Sequence, residues 1–144
     1  MPHSDQSLLS NAQKSLRIIQ SEVENINKIA LSVDCVIFGF DESKLKVLLI
    51  RSDLKNFHGK WSLLGDLVFP NEDLDAAAYR ILKQRTGLND VYLEQVHTFG
   101  KVSRHPAGRV VSVAYYSLIN VQHHKLNILE NELHWHDVKS VTDL

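Results

Sequence analysis

The segment that decides the fold runs from residue 65 to residue 88 and reads GDLVFPNEDLDAAAYRILKQRTGL. A short extended stretch is followed by apolar residues at helical spacing, which predicts a strand, a loop and a helix in that order. The predicted apolar face of the helix consists of Leu74, Ala77, Ala78, Ile81 and Leu82. Asp73 stands where a helix N-cap is expected, and Gly87 where a left-handed C-terminal residue is expected.

The polar residues of this segment resemble the Nudix box, the loop-helix-loop signature of hydrolases that cut nucleoside diphosphates linked to another group. That pattern reads Gly, five residues, Glu, seven residues, then Arg-Glu-apolar-any-Glu-Glu-any-Gly-apolar. Five positions match it: Glu72, Arg80, Leu82, Gly87 and Leu88. Four do not, since Asp66 stands at the first Gly and Ile81, Gln84 and Arg85 stand at the three later glutamates. The chain therefore keeps the apolar and glycine positions that shape the end of the helix, but only two of the charged residues of the motif, Glu72 and Arg80.

The replaced glutamates bear directly on metal binding. Magnesium is held by carboxylate oxygens, and two-metal phosphoryl chemistry needs several carboxylates that converge. Glutamates at the three replaced positions would lie on neighbouring helix faces and could converge. Arg85 instead places a fixed positive charge there, and like charges about 4 Å apart repel by roughly 4 kcal/mol at an effective dielectric near 20. We expect a Nudix fold without catalysis, bound metal or cofactor, in which Glu72 and Arg80 are residues left over from the motif.

Two other functions remain open. One is a metal-dependent Nudix hydrolase of ADP-ribose-like nucleoside diphosphates, which would hold magnesium or manganese through atypical ligands such as Asp66 or Glu94. The other is an interaction module that keeps the fold and binds only protein partners. A sensor needs binding without turnover, and loss of carboxylates together with retained arginines favours it.

Composition places the chain among ordinary globular domains. Its 144 residues are 44% hydrophobic and 23% charged, with a net charge of −1, so phosphate neutralisation by this domain alone is not expected. A single cysteine, Cys35, leaves no disulfide framework. No run of about 18 apolar residues is present, and we expect a cytoplasmic protein that does not bind a membrane.

The remaining segments predict an α/β domain over residues 31–144, preceded by a helical extension over residues 1–30. Strands are expected at 32–40, 44–51, 90–99, 109–120 and around 133–135, and Trp61 is expected to anchor the core. The resemblance implies a Nudix-type α/β/α sandwich with a mixed sheet. The amphipathic pattern at 5–28 predicts one N-terminal helix, which would serve either as a dimerisation element or as a helix folded onto its own domain.

The stretch HTFGKVSRHPAGRVVSVAYYSLI, residues 97–119, resembles a Nudix subgroup of ADP-ribose pyrophosphatase-like domains and Nudix-related transcriptional regulators. His105 replaces the aspartate of the subgroup's Arg-Asp-Pro. This resemblance implies a small nucleoside-diphosphate-sugar or sugar-like effector, and a homodimer is a possible assembly. It implies DNA binding only through a following winged-helix domain, before which this chain stops.

Five residues are predicted to bind the effector: Arg51, Asp66, Phe69, Arg104 and Arg109. Arginine forks suit diphosphate groups. Alternatively, Arg109 makes a structural ion pair and Arg104 is solvated. His134 and His136 would point the same way on a strand, but two histidines without a third ligand do not favour zinc.

Overall fold

The structure is a computed structural model that describes residues 10–25, 28–51, 60–126 and 132–141. Its elements are helix α1 (Asn11–Asn25), strands β1 (Ala30–Asp41), β2 (Lys44–Arg51), β3 (Trp61–Ser62) and β4 (Leu64–Leu67), helix α2 (Leu74–Thr86), and strands β5 (Glu94–Phe99), β6 (Val110–Asn120) and β7 (Leu133–Asp137). Short 3₁₀ helices follow β6 and β7. The seven strands form one mixed sheet, which confirms the predicted α/β class.

Strand β1 is the centre of the sheet. It pairs in parallel with β6 along its whole length, so its other edge is shared by two antiparallel strands. The start of β1 pairs with β4 at residues 32–35, and its end pairs with β2 at residues 38–41. Strands β3 and β7 pair with β2, and β5 pairs with β6. Strand β4 therefore lies where β1 and β2 diverge.

The hydrophobic core lies between the sheet and α2. Val33, Cys35 and Ile37 alternate along β1 and are fully buried, as the period of a strand requires. The predicted helix face is confirmed, since Ala77, Ala78, Ile81 and Leu82 are buried and Leu74 packs against them. Burial raises the pKa of the Cys35 thiol to about 12, so this cysteine is a packing residue and not a nucleophile.

Both ends of α2 lie where the sequence predicts them. Gly87 ends the helix with φ of 79°, and its N–H donates to the carbonyl of Lys83 at 2.8 Å. Asp73 holds the N-cap position with extended backbone, but its side chain makes no capping hydrogen bond. The cap residue was therefore predicted correctly and its capping interaction was not.

The strand predicted at 90–99 begins only at Glu94. Val91 and Leu93 are buried in the core, and the N–H of Leu93 donates to the hydroxyl of Tyr79 at 3.1 Å instead of to a neighbouring strand. Alternating apolar residues indicate burial, not hydrogen bonding to a neighbouring strand. Here the extended segment before Glu94 is buried against α2, and pairing with β6 begins only after it. The sequence pattern alone does not separate these two cases.

Helix α1 confirms that an N-terminal helix is present, although residues 5–9 and 26–27 of the predicted helix lie outside the described residues. Its apolar residues Leu16, Ile19 and Val23 are 56%, 56% and 59% exposed. Among the described residues, α1 is therefore not packed onto the sheet, and its proposed role in dimerisation stays a prediction. Neither described helix is long and apolar enough to cross a membrane.

Replacement of Gly39 by alanine tests the packing at the end of β1. A Cβ at Gly39 would lie 2.6 Å from Val121 Cγ2 and 2.7 Å from the Trp135 ring. We expect Gly39→Ala to lower the free energy of unfolding by about 1–3 kcal/mol, the usual cost of overpacking. Urea unfolding measures this. Gly100→Ala is the control, because its Cβ would meet nothing within 4 Å, and equal midpoints for the two variants would contradict the prediction.

Candidate functional site

The topology brings the predicted ligand residues to one end of the sheet. Strands β1 and β6 begin at this end, and β2, β4 and β5 finish there because each is antiparallel to β1 or β6. We call it the site end. The residues that lie at it are Arg51 at the close of β2, Asp66 and Phe69 in and after β4, and Arg104 and Arg109 in the loop between β5 and β6.

Arg80 organises the loop between β4 and α2. Its Nη2 and Nε donate to the two carboxylate oxygens of Glu72 at 2.7 and 2.9 Å, and Nη2 also donates to the carbonyl of Leu67 at 2.9 Å. Its guanidinium lies 4.1 Å from the centre of the Phe69 ring. The hydrogen bonds from Arg80 hold the pKa of Glu72 below its usual range. The two leftover motif residues therefore bind each other.

Arg85 lies on the last turn of α2 and faces β4. Its Nη2 is 3.7 Å from Asp66 Oδ2 and 3.4 Å from the carbonyl oxygen of Gly65. Both side chains of the ion pair are partly exposed, 38% for Arg85 and 49% for Asp66. Such a pair contributes little to stability, so the guanidinium is available to an anion.

The three replaced glutamate positions do not share one surface. Gln84 and Arg85 are exposed, and Gln84 accepts a hydrogen bond from Arg80 Nη1 at 3.2 Å. Ile81 is only 1% exposed and packs in the core. The helix therefore turns Ile81 toward the sheet, and the expectation that glutamates at all three positions could converge stays a prediction.

Arg104 and Arg109 both contact backbone oxygens near the start of β6. Arg109 Nη1 donates to the carbonyl of Gly100 at 2.7 Å, which closes the loop between β5 and β6. Arg109 makes no ion pair within the described part of the chain. The prediction that it forms a structural ion pair is therefore wrong, and its structural contact is with a backbone carbonyl. Arg104 Nη2 donates to Ser112 Oγ and, at 3.3 Å, to the carbonyl of Val110. Arg104 is thus held in place and not simply solvated.

The sequence reasoning missed Asp34 in the middle of β1. Its carboxylate leans over Gly65, where a Cβ would overlap it, on the face of the sheet opposite α2. Burial raises the pKa of Asp34 above its ordinary value of 3.8, and the nearby charges of Arg104 and His105 oppose that shift. The signal was present in the sequence, since strand alternation places Asp34 on the opposite face from Val33 and Cys35.

A second cluster surrounds Trp61, which was predicted to anchor the core. Trp61 is half-buried and lies outside the core cluster, with its ring edge-on to the rings of His136 at 4.5 Å and His134 at 5.2 Å between centroids. The guanidinium of Arg51 lies 4.9 Å from the same ring. Trp61 pairs with Arg51 in the sheet, and both face away from α2. In the part of the chain that the structure describes, no three metal-binding side chains converge.

A family model named NUDIX domain matches residues 28–144 of this chain. The ADPR responsive transcriptional repressor NtrR of Acinetobacter baylyi is 36% identical over 104 residues, which are 71% of this chain and 42% of that protein. The chain thus spans less than half the length of this relative.

Two solved structures of the NrtR protein of Shewanella oneidensis are similar to this chain. Its Nudix domain in complex with ADP ribose has a TM-score of 0.74 and 26% identity, over 91% of this chain and 85% of that one. The NrtR protein in complex with a 27mer DNA has a TM-score of 0.65 and 31% identity, over 74% of this chain and 50% of that one. Both likenesses rest on the domain that holds the site end.

Acidification is expected to loosen the cluster around Trp61. His136 Nε2 is buried and makes no hydrogen bond to any described residue, and burial, followed by the charge of His134, lowers the pKa of His136. A histidine that stays neutral in the folded state contributes stability above its unfolded pKa near 6.5, and that stability is lost as pH falls below it. We expect the melting temperature of the wild-type chain to fall from pH 7 to pH 5 and that of His136→Phe to fall less. His123→Phe, at an exposed position, is the matched control, and parallel profiles for both variants would contradict this assignment.

Proposed function

Since the chain belongs to the Nudix family, we propose that it is a catalytically silent Nudix domain that binds a nucleoside-diphosphate sugar such as ADP-ribose. We further propose that it is the effector-sensing part of a transcriptional regulator. The observation that carries the proposal is the change of charge at the motif. Ile81, Gln84 and Arg85 stand where the pattern has glutamates, so three of its four carboxylates are replaced.

The substitution at residue 85 works against a catalytic cation. Arg85 places a positive charge beside the carbonyl of Gly65, at a position where the pattern has a glutamate. A cation would meet like charge there, whereas a diphosphate would meet opposite charge.

The site end suits an anionic ligand with an aromatic part. Arg51, Arg85, Arg104 and Arg109 supply guanidinium groups that can donate two parallel hydrogen bonds to phosphate oxygens. Arg85 is available to such a ligand, because its contact with Asp66 is long and exposed. Phe69 is 51% exposed and offers the ring face that is not covered by Arg80.

The relatives support the same ligand class. NtrR is described as responsive to ADPR, and the Nudix domain of NrtR was solved with ADP ribose. NrtR was also solved with DNA, and this chain spans about half of that protein. We propose that DNA contact in such a regulator is made by a part of the protein other than its Nudix domain. A homodimer is part of the proposal and is supported by the exposed apolar residues of α1.

Thermal shift and product analysis with ADP-ribose test the proposal. In the presence of EDTA we expect the melting temperature to rise with ligand concentration, because a ligand that binds only the folded state stabilises it. With magnesium or manganese we expect no cleavage of the diphosphate. Arg85→Gln should weaken binding about 10-fold, the loss of a charge-assisted contact, whereas Asp66→Asn should tighten it by freeing Arg85. Lys83→Gln, on the same helical turn, is the control.

Two outcomes contradict this function. Metal-dependent cleavage that disappears in Glu72→Gln would establish the hydrolase alternative. If the chain neither binds nor cleaves ADP-ribose, the remaining function is that of an interaction module that binds protein partners.

Restored carboxylates should restore metal affinity. The double variant Gln84→Glu, Arg85→Glu adds two exposed carboxylates, one of them at the position that contacts Asp66, and removes the positive charge, while Ile81 stays in the core. We expect manganese to bind this variant measurably more tightly than the wild type in calorimetric titration. A variant with the same change of net charge at other exposed positions, Lys83→Glu with Gln122→Glu, is the comparison. Equal manganese affinities in the two variants would show that the missing glutamates are not what abolished the cation site.

A further inference from the structure

A polar patch interrupts the face of the sheet opposite α2. Ser32 and Asp34 lie two residues apart on β1, and Ser112 lies directly beside Ser32 on β6. The two serine hydroxyls are 2.6 Å apart, and Arg104 donates to Ser112. We call Ser32, Asp34, Arg104 and Ser112 the Asp34 patch. Apolar side chains flank it on the same face, among them Val36 and Ala114.

Asp34 has acceptor capacity that the described chain does not use. No described residue donates a hydrogen bond to its carboxylate, although burial already raises its pKa. The fork of Arg104 is directed to Ser112 and to the carbonyl of Val110. Gly65 leaves the space that the carboxylate occupies, since any side chain there would overlap it. The carboxylate oxygens of Asp34 are not among the fully buried atoms without a partner, so a ligand can reach them, and carboxylates with a raised pKa concentrate at binding sites.

The surroundings of Asp34 restrict the kind of group it can accept. The charge of Arg104, which acts on Asp34, disfavours a second cation beside it. An anion would be repelled by the carboxylate itself. Neutral donors are therefore favoured, and a vicinal pair of hydroxyls can donate two hydrogen bonds to the two oxygens of one carboxylate.

We propose that Asp34 binds the vicinal hydroxyls of a ribose in the nucleoside-diphosphate sugar, with Arg104 directed toward a neighbouring phosphate. The inference rests on the proposed function and identifies Asp34 as a residue that determines ligand specificity. It places the sugar on the face opposite α2 and the diphosphate at the site end, where β1 and β6 begin.

The competing role for Asp34 is structural, as a charge partner that steadies Arg104. The two roles differ in their effect on stability. If the carboxylate steadies Arg104, Asp34→Asn lowers the melting temperature. If the carboxylate is held ready for ligand, Asp34→Asn leaves the melting temperature unchanged or raises it, because a desolvated charge is removed.

The experiment compares ADP-ribose with two analogues, each lacking the 2-hydroxyl of one of its riboses, by calorimetric titration of the whole chain. We expect one analogue to bind the wild type about 10- to 100-fold more weakly than ADP-ribose, the range for a lost hydrogen bond to a charged group. In Asp34→Asn, we expect ADP-ribose and that analogue to bind equally weakly. Asp90→Asn, an exposed aspartate with 72% of its side chain accessible, is the matched control and should keep the wild-type preference.

Each other result overturns the inference. If the wild type binds ADP-ribose and both analogues with equal affinity, the inference is overturned before any variant is made. The inference is also overturned if Asp34→Asn still binds ADP-ribose more tightly than the analogue, whether or not its melting temperature falls. The proposed function is unaffected by that result. Failure of the wild type to bind ADP-ribose at all removes the proposed function together with this inference.

Discussion

The paired hydrogen bonds between Arg80 and Glu72 are the interaction on which the site end depends. They join the middle of α2 to the loop that follows β4, and the same guanidinium reaches the carbonyl of Leu67 and the ring of Phe69. A planar, permanently charged fork can make these contacts at once, which a lysine cannot. The loop conformation is therefore set by a contact between two residues that match the motif.

The fold tolerates the replacement of the motif glutamates at positions 84 and 85 because its stability comes from other residues. The face of α2 that meets the sheet consists of alanine, isoleucine and leucine side chains that are almost fully buried. The altered positions Gln84 and Arg85 project outward at the last turn, where substitutions act on surface electrostatics. Burial stabilises the domain, and the replaced charges lie outside the buried face, so one can change without the other.

The sequence predicted the elements of the fold better than the details of its site. Helix α2, its C-terminal glycine, the hairpin of β1 and β2, and the long strand β6 follow from local periodicity and turn residues. The arginines at the loop and strand ends were identified from the resemblance. Trp61 was misassigned to the core, since a tryptophan in a two-residue strand has no local periodicity to show which face it takes. Asp34 was overlooked because its neighbours in sequence are apolar.

What the sequence determined by itself is where helices and strands form and that three of the four glutamates of the motif are replaced. Both are local properties, carried by residue type and spacing. Only the tertiary structure decided that Arg80 binds Glu72, that residue 81 faces the core, and that Asp34 lies near Arg104. Those contacts depend on the parallel pairing of β1 with β6 and on the packing of α2, which join parts of the chain that are distant in sequence.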